Sequence, residues 1–414
     1  MRTRWIARLG VNAGLFVLSA GLAVLAAEGI VRRFVPQHFP LSVALRGLHR
    51  NDPELGYVMQ AGFFKRVHTA EFTADLRTNS LGLRDEEVPP PAPQRLRLLA
   101  IGDSFTLGVH AGDRDRCFVE RLEAGLQAAF TARERGAAAP WTGAEVINAG
   151  VEGYGTVQEV GLCERLGPQL HPDGVILAFY LGNDFTDNSG LTRMTVVDGY
   201  QMLEASAAGF RREFSPWHRR VRLWLHAHSE LYLLLKARLV HPVRRALPGA
   251  GTAAAPATVK PFDYYVYDKG FADALSAVAS PDLQRGMDRT ATALARLRRY
   301  CDAQGIQALV VAIPAEAQVD PAARARWLAR FGLETSRLDF DLPNRRLRDL
   351  AAAAGLRLVD LTPVFADRVR QGEHPYLVSD PHWNASGHAI AAAALLEPVL
   401  AQWGDTTHPQ IGTR

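Results

Sequence analysis

The sequence is poor in the residues that mark metal sites and disulfide frameworks. It has only three cysteines in 414 residues, Cys117, Cys163 and Cys301, and they lie far apart. An odd number of cysteines cannot close a disulfide framework, and these separations match no common metal-binding pattern. The excess of positive charge is also small, at +4. So mild an excess does not indicate a nucleic-acid-binding protein.

The composition is otherwise that of an ordinary globular protein. Hydrophobic residues make up 48% and charged residues 22% of the chain, which excludes wholesale disorder, collagen and coiled coil. A chain of 414 residues exceeds one average domain but fits one enlarged α/β domain. Composition alone leaves an enzyme, a transporter accessory protein and a binding protein open.

One long apolar run stands at the N-terminus. Residues 9–27 carry no charge, and as a helix these nineteen residues span about 28 Å, close to the thickness of a bilayer core. Arg2, Arg4 and Arg8 precede the run, which favours a cytoplasmic start and an exported body. We predict a single-pass anchor over residues 1–35.

The alternative for this segment is a cleaved signal peptide, because Leu25-Ala26-Ala27 resembles a cleavage site.

Arginine supplies nearly all the positive charge, and alanine runs are frequent, which suggests a GC-rich bacterial genome. The predicted location is therefore the bacterial inner membrane, with the remaining chain on the periplasmic side.

The rest of the chain predicts a doubly wound, flavodoxin-like α/β fold. Short apolar runs alternate with helical patterns at residues 96–101, 146–147, 175–179, 306–313 and 356–359. Strands that alternate with helices indicate a parallel sheet with helices on both faces. The chain divides into a linker or edge hairpin (36–94), a first domain part (95–189), a helical insertion (190–280), a second domain part (281–405) and a tail (406–414). The insertion is either a solvated hairpin or a lid or membrane contact.

Polar clusters follow three successive predicted strands, at the edge where such folds bind ligands. Gly102-Asp103-Ser104 follows the first strand, and Ser104 is either a nucleophile or an ordinary helix cap. The block 148–155 follows the second strand, and its glycines let the backbone approach a ligand or simply form a turn. Gly182-Asn183-Asp184 follows the third strand, where the Asn183 amide suits an oxyanion donor or an Asx turn.

A further cluster, Asp380-Pro381-His382, precedes the last helix. A carboxylate close to a histidine can orient its ring and stabilise the protonated form. A metal site is a rival interpretation for any such pair, but no second cluster with ligand spacing accompanies this one.

These four blocks, in this order, resemble the SGNH hydrolase superfamily, which comprises the GDSL esterases and lipases and their acetyl-transferring relatives. The resemblance spans about residues 95–403 without the insertion. It implies Ser104, Asp380 and His382 as catalytic residues and the backbone of Ser104, Gly153 and Asn183 as oxyanion donors. It implies neither a cofactor nor a metal.

One feature departs from the usual family pattern, in which two residues separate the aspartate from the histidine. Here Pro381 alone separates them. This form is similar to the Asp-x-His pattern of alginate and exopolysaccharide O-acetylation proteins, although in the alginate proteins that pattern precedes the serine.

The resemblance and the predicted anchor together imply a membrane-anchored, extracytoplasmic serine esterase or O-acetyltransferase. The expected substrate is an acyl ester, in the first place an acetyl ester, of carbohydrate or envelope polysaccharide. Residues 9–27 would bind the bilayer, and a membrane acyl-donor protein is a candidate partner. Nucleic acid is not an expected partner. A lipase or lysophospholipase is the alternative enzyme, and a non-catalytic polysaccharide-binding or assembly scaffold is the alternative outside enzymes.

Overall fold

The computed structural model describes residues 2–35, 44–69, 71–133, 141–205, 207, 216–236, 238 and 262–404. The predicted tail, 406–414, lies outside them. The chain divides into two compact units. The first comprises residues 1–44, 68–70 and 208–255, and the second comprises 45–67, 71–207 and 256–414.

The elements are numbered here along the chain. The helices are α1 (Arg2–Phe34), α2 (Ser104–Leu107), α3 (Phe118–Arg133), α4 (Thr156–Leu170), α5 (Asp184–Ser189), α6 (Pro216–His228), α7 (Glu230–Leu235), α8 (Phe262–Ala274), α9 (Pro281–Gln304), α10 (Glu316–Val319), α11 (Pro321–Phe331), α12 (Leu342–Ala353), α13 (Thr362–Arg370) and α14 (Ala385–Trp403). The strands are β1 (His49–Asp52), β2 (Gly56–Met59), β3 (Phe64–His68), β4 (Thr73–Arg77), β5 (Arg95–Gly102), β6 (Gly143–Gly150), β7 (Gly174–Tyr180), β8 (Met194–Val197), β9 (Tyr200–Leu203), β10 (Gln307–Ile313) and β11 (Arg357–Asp360).

Five parallel strands form the main sheet of the second unit, in the order β6-β5-β7-β10-β11. The first strand along the chain, β5, therefore has the second on one side and the third on the other. The direction of winding reverses between β5 and β7, which is the point where ligands bind in doubly wound folds. The predicted fold class is confirmed.

Helices cover both faces of this sheet because its strands are apolar on both faces. Alternate strand residues share one buried cluster with α3 and α14: Leu96, Leu98, Ala100, Val146, Ile176, Ala178, Leu309, Val311, Phe118, Leu126, Leu395 and Val399. The helices α4 and α9 contact β5 and β10 respectively. This arrangement fixes the carboxyl ends of β5, β6 and β7 side by side.

The segment predicted as a linker or edge hairpin, 36–94, contains two pairs of short strands. The pair of β1 with β2 is antiparallel, and the other pair is β3 with β4. A further hairpin, β8–β9, lies inside the segment predicted as a helical insertion. It turns through Asp198 and Gly199, whose φ angles of 52° and 83° fit a tight two-residue hairpin loop. The Asp-Gly signal was present in the sequence, so this part of the insertion is β rather than helical.

The first unit contains α1, α6 and α7. The helix α1 is one continuous helix of 33 residues, and its stretch Asn12–Phe34 is long and apolar enough to cross a membrane. Only 6% of that stretch is buried, unlike the core helix of a soluble protein. The helix α7 packs against α1.

Close packing at the end of β6 generates a testable prediction. A Cβ placed on Gly150 would lie 2.1 Å from the backbone nitrogen of Leu107 in α2. Backbone atoms cannot move aside as a flexible side chain can, so Gly150→Ala should displace α2. We expect a loss of about 1–3 kcal/mol in stability, measured by thermal unfolding.

The control for this prediction is Gly125→Ala in α3, where the added Cβ would meet only the Leu396 side chain, at 3.3 Å. This variant should unfold close to the wild-type temperature. A Gly150→Ala protein as stable as the wild type would contradict the packing of α2 against the end of β6.

Candidate active site

Ser104 lies at the turn between β5 and α2, as the first residue of α2. The Asp103 carboxylate caps this short helix by accepting from the Phe105 backbone N–H at 2.9 Å. Capping by Asp103 leaves the Ser104 hydroxyl free of that task. Ser104 is therefore not an ordinary capping hydroxyl, which was the alternative interpretation of this block.

Ser104, His382 and Asp380 form a continuous hydrogen-bonded chain. Ser104 Oγ lies 2.7 Å from His382 Nε2, and His382 Nδ1 contacts Asp380 Oδ1. The same carboxylate oxygen accepts the backbone N–H of His382 at 3.0 Å. The Asp380 side chain thus folds back along its own chain, and one intervening residue is enough for it to reach the ring. The structure brings all three predicted catalytic residues together.

The predicted oxyanion donors lie in the same place. Gly153 has φ of +74°, and a Cβ there would lie 2.9 Å from Gln201 Nε2 and 3.1 Å from the Tyr57 hydroxyl. Only glycine fits this position. Gly153 and Asn183 line one cavity of about 620 Å³ together with Ser104, Asp380 and His382. All five predicted site residues therefore border a single cavity.

The segment predicted as a linker supports this cavity. The Tyr57 hydroxyl donates to the backbone oxygen of Glu152, next to Gly153, at 2.9 Å. The Glu71 carboxylate accepts from the backbone N–H of Ser379, next to Asp380, at 2.9 Å. Sequence patterns did not reveal these contacts, because neither residue belongs to a recognisable motif.

His110 is a site residue that the sequence analysis missed. It lies in a short 3₁₀ turn, Val109–Ala111, and is almost fully buried, with 2% of its surface exposed. Its ring stacks on His382 with centroids 3.8 Å apart and planes within 4° of parallel. No nearby sequence motif marks it.

His110, Asp380 and His382 are also close enough to be tested as a metal site, since one potential ligand atom from each lies within 4.8 Å of the others. The geometry does not favour this. Parallel stacked imidazoles direct their nitrogen lone pairs side by side rather than towards a common point, and both His382 nitrogens already have partners. The contacts of His382 with Ser104 and Asp380 suit proton transfer, whereas the three residues together do not suit a metal ion.

The charges around His382 favour its protonated form. Burial alone would lower the pKa of His382, but the contact with the Asp380 carboxylate outweighs it, with smaller contributions from Asp103 and Glu152, and the pKa is raised. Burial would raise the pKa of Asp380, but His382 holds it well below its usual range. The pair is therefore built to stabilise an imidazolium beside a carboxylate.

A group of carboxyl side chains is buried behind this edge of the sheet. Burial raises the pKa of Asp103 to about 6 and that of Glu152 to about 7. Asp184, which follows Asn183, and Glu159 of α4 are fully buried, and their pKa values are raised well above the usual range. Asp184 still accepts the Tyr180 backbone N–H at 2.8 Å, which fixes the turn that carries Asn183.

Comparison with protein families gives one match. Residues 273–411 match the model described as an SGNH hydrolase-like domain of acetyltransferase AlgX. The matched stretch contains Asp380 and His382, whereas Ser104, Gly153 and Asn183 precede it. No curated protein sequence matches the chain.

Several solved structures are similar to parts of this chain. The acetyl xylan esterase AlAXEase is 13% identical with a TM-score of 0.38, and the match covers 73% of this chain and 100% of that one. A lipase/acylhydrolase from Enterococcus faecalis is 11% identical with a TM-score of 0.38, covering 75% and 98%. A catalytic mutant of the acetylxylan esterase Axe2 from Geobacillus stearothermophilus is 14% identical with a TM-score of 0.35, covering 73% and 94%.

The family match confirms the resemblance predicted from the four sequence blocks. The chain carries an SGNH hydrolase-like domain and is an ester hydrolase or an O-acyltransferase. Its fold and the contact between Ser104 and His382 agree with that chemistry.

The contact between His382 and Asp380 leads to a prediction about pH. A general base must be neutral, so activity should fall as pH drops through the raised pKa of His382. We expect the acid-side midpoint of kcat/KM for an aryl acetate to lie above about 6.5, the ordinary histidine value. Asp380→Asn should move the midpoint to lower pH and reduce kcat about 10²–10⁴-fold.

Asp367→Asn is the control, because Asp367 is an exposed acid that pairs with Arg370 on α13. It should leave the pH profile unchanged. An unshifted midpoint in Asp380→Asn would show that Asp380 does not set the pKa of His382.

Proposed function

We propose that this protein is a membrane-anchored, extracytoplasmic serine enzyme that hydrolyses or transfers acyl groups, chiefly acetyl, on carbohydrate esters. The observation that carries the proposal is the continuous contact from Ser104 through His382 to Asp380, which opens into a cavity bordered by Gly153 and Asn183. Ser104, His382 and Asp380 are the proposed catalytic residues.

In the first half of the proposed reaction, Ser104 attacks the ester carbonyl while His382 takes its proton through the 2.7 Å contact. The backbone N–H groups of Ser104 and Gly153 and the Asn183 amide hold the negative oxygen that develops. Loss of one such donor typically costs about 10²–10³ in rate. His382 then gives its proton to the leaving hydroxyl, which leaves an acyl group on Ser104.

In the second half, water or a sugar hydroxyl attacks the acyl-enzyme and His382 again takes the proton. Asp380 stabilises the imidazolium in both halves by holding Nδ1. Both outcomes use the same residues, so the acceptor that enters the cavity decides between hydrolysis and transfer.

The cavity wall combines apolar and aromatic side chains with charged ones. Besides the site residues, its lining includes the apolar side chains of Trp327, Phe271 and Met194 and the charged side chains of Asp268, Glu316, Arg326 and Arg330. An aromatic face beside hydrogen-bonding groups suits a sugar ring, which has apolar faces and polar edges. A long acyl chain would make no use of the charged groups in this wall, so we favour a carbohydrate ester over a lipid.

The N-terminal helix supports retention of an anchor. The helix α1 runs unbroken through residues 25–27 to Phe34. Beyond this possible cleavage site, Glu28 binds the start of α7. Cleavage after Ala27 would remove the part of α1 that precedes this contact. Arginines at positions 2, 4 and 8 favour a cytoplasmic N-terminus, which supports a location of the second unit outside the cytoplasm.

The proposed nucleophile is tested by Ser104→Ala. Hydrolysis of an aryl acetate should fall by at least about 10³-fold, since the acyl-enzyme cannot form. Ser104 lies at a turn, and removing its hydroxyl leaves no large cavity, so the thermal unfolding midpoint should hardly change. Ser386→Ala, which alters an exposed serine on α14, is the matched control and should be fully active. Retained activity in Ser104→Ala would refute the mechanism.

Hydrolase and transferase activity are separated by supplying an acceptor. Purified full-length protein should release acetate slowly from an aryl acetate. Adding oligosaccharides should give acetylated sugar, detected by mass spectrometry. The ratio of free acetate to released aryl alcohol should fall at the same time. Ser104→Ala should abolish both products. Rapid hydrolysis without acetylated product across a panel of sugars would leave the esterase assignment and exclude transfer to those acceptors.

A further inference from the structure

An exposed aromatic stripe runs along α6. Trp217, Val221 and Trp224 are 67%, 38% and 57% exposed. Their spacing of four and then three residues places them on one face of the helix. His228, four residues after Trp224, stacks on the Trp224 ring with centroids 5.1 Å apart. Soluble proteins rarely leave such a row of large apolar side chains uncovered.

The helix α6 is tied to the C-terminal end of α1. The Arg32 guanidinium in α1 donates to the backbone oxygen of His228, the last residue of α6. Glu28 accepts from the Ser229 hydroxyl at 2.7 Å and from the Glu230 backbone N–H at 2.8 Å. Glu28 thus caps α7 from a neighbouring helix, and the turn between α6 and α7 is held against α1.

This attachment point lies at the end of the apolar run. Residues 9–27 carry no charge, and Glu28 is the first charged residue after them. If α1 crosses a bilayer, Glu28 and Arg32 therefore lie near the interface on the side opposite the N-terminus. The helix α6 begins and ends within the same unit as α1 and meets it at this level.

We propose that α6 lies in the bilayer interface beside α1, with Trp217, Val221 and Trp224 inserted among the lipids. This inference rests on the retained anchor of the proposed function. Tryptophan is enriched at membrane interfaces, where its ring is buried and its N–H stays hydrated.

Positive charges near the aromatic stripe favour anionic lipids. Arg220 and Arg222 belong to α6, and Arg32 and Arg33 end α1. A basic amphipathic helix with aromatic residues on its apolar face binds anionic lipid surfaces. The partner is therefore the phosphate-bearing headgroup layer of an anionic membrane, and α6 would fix the orientation of the first unit on it.

The test uses full-length protein in nanodiscs with a spin label at Trp224→Cys. The three native cysteines are buried, so an introduced cysteine on the surface should label selectively. Collisions of the label with oxygen, which concentrates in lipid, are compared with collisions with a water-soluble nickel chelate. Val278→Cys, at an 81% exposed apolar residue of the second unit, is the control.

We expect the oxygen-to-nickel ratio at position 224 to exceed that at 278 several-fold in discs containing phosphatidylglycerol. Adding Arg220→Glu should lower the ratio at 224 in these discs and change it little in phosphatidylcholine discs. A label at 224 as exposed to nickel as that at 278 would overturn the proposal. A label shielded from both reagents would also overturn it, because it would indicate protein contact.

Two further measurements keep this inference separate from the proposed function. The intact mass of the membrane-bound protein shows whether residues 1–27 are retained, which tests the anchor itself. Trp224→Cys should hydrolyse a soluble aryl acetate at the wild-type rate, so failure of the membrane contact would not imply failure of the catalytic assignment.

A second inference comes from His110. Both its ring nitrogens are buried and lack hydrogen-bond partners among the described residues. Burial, together with the nearby His382, lowers the pKa of His110 well below its usual range, so the ring is neutral. Because the His110 ring is neutral and makes no hydrogen bond with the described residues, it does not orient His382 by sharing a proton with it. The main interaction of His110 with the site is its parallel stacking on the His382 ring, with centroids 3.8 Å apart.

We infer that His110 is a positioning residue that holds the His382 ring through stacking. Phe105 contacts the same ring with centroids 4.9 Å apart. Stacking restricts rotation of the imidazole away from Ser104, and a neutral π-face tolerates the imidazolium that forms during the reaction. The charged or polar groups that act on His382 are Ser104, Asp380, Asp103 and Glu152.

The comparison of His110→Phe with His110→Ala tests this role. Phenylalanine keeps a flat ring without nitrogens, so kcat should stay within a few-fold of wild type with the same pH profile. Alanine removes the stack, and kcat should fall about 10–100-fold with little change in KM. A shifted pH profile in His110→Phe, or equal loss in both variants at equal stability, would show that the ring nitrogens matter. Full activity in His110→Ala would refute the inference.

Discussion

One hydrogen bond, between Ser104 and His382, joins residues that are 278 positions apart in the chain. The turn after β5 carries Ser104 and the loop before α14 carries His382. Neither can position its side chain against the other by itself, so the site depends on the sheet that fixes both. Ser104 is held by the central strand β5, which pairs with neighbours on both sides. His382 is held by the loop before α14, and α14 packs on α3 in the cluster that also buries β5. Any shift of the sheet against α14 therefore changes the distance between Ser104 Oγ and His382 Nε2 directly.

The turns that carry the site are held by buried carboxyl groups. Asp103 and Asp184 each accept a backbone N–H close to a site residue, at 2.9 Å and 2.8 Å. Burying these groups costs stability, and the raised pKa values of both express that cost. What is gained is that hydrogen bonds within the protein hold both the turn after β5 and the turn after β7. Oxyanion donors act best when such preorganisation precedes binding.

Much of the site could be predicted because strand ends leave strong local signals. Ser104 and Asn183 each follow an apolar run and a glycine, and the parallel sheet brings them together. His110 and Glu71 could not be predicted in this way. Their roles arise from contacts with residues 272 and 308 positions away, at His382 and Ser379, and no pattern around either residue encodes such a partner. The β8–β9 hairpin was missed for another reason, because its Asp-Gly turn was outweighed by the helical pattern that follows it.

The size of the cavity bears on the choice between hydrolysis and transfer. An acyl group on Ser104 would share a space of about 620 Å³, whereas a water molecule occupies about 30 Å³ in the liquid. In the proposed mechanism, an acetyl group alone would leave room for many waters, and one of them would reach the carbonyl beside His382. The cavity therefore does not exclude water by its shape. A transferase with this site has to exclude water by filling the cavity with its acceptor, so the ratio of transfer to hydrolysis should rise with acceptor occupancy. Residual hydrolysis without acceptor is then a consequence of the architecture rather than a sign that transfer is absent.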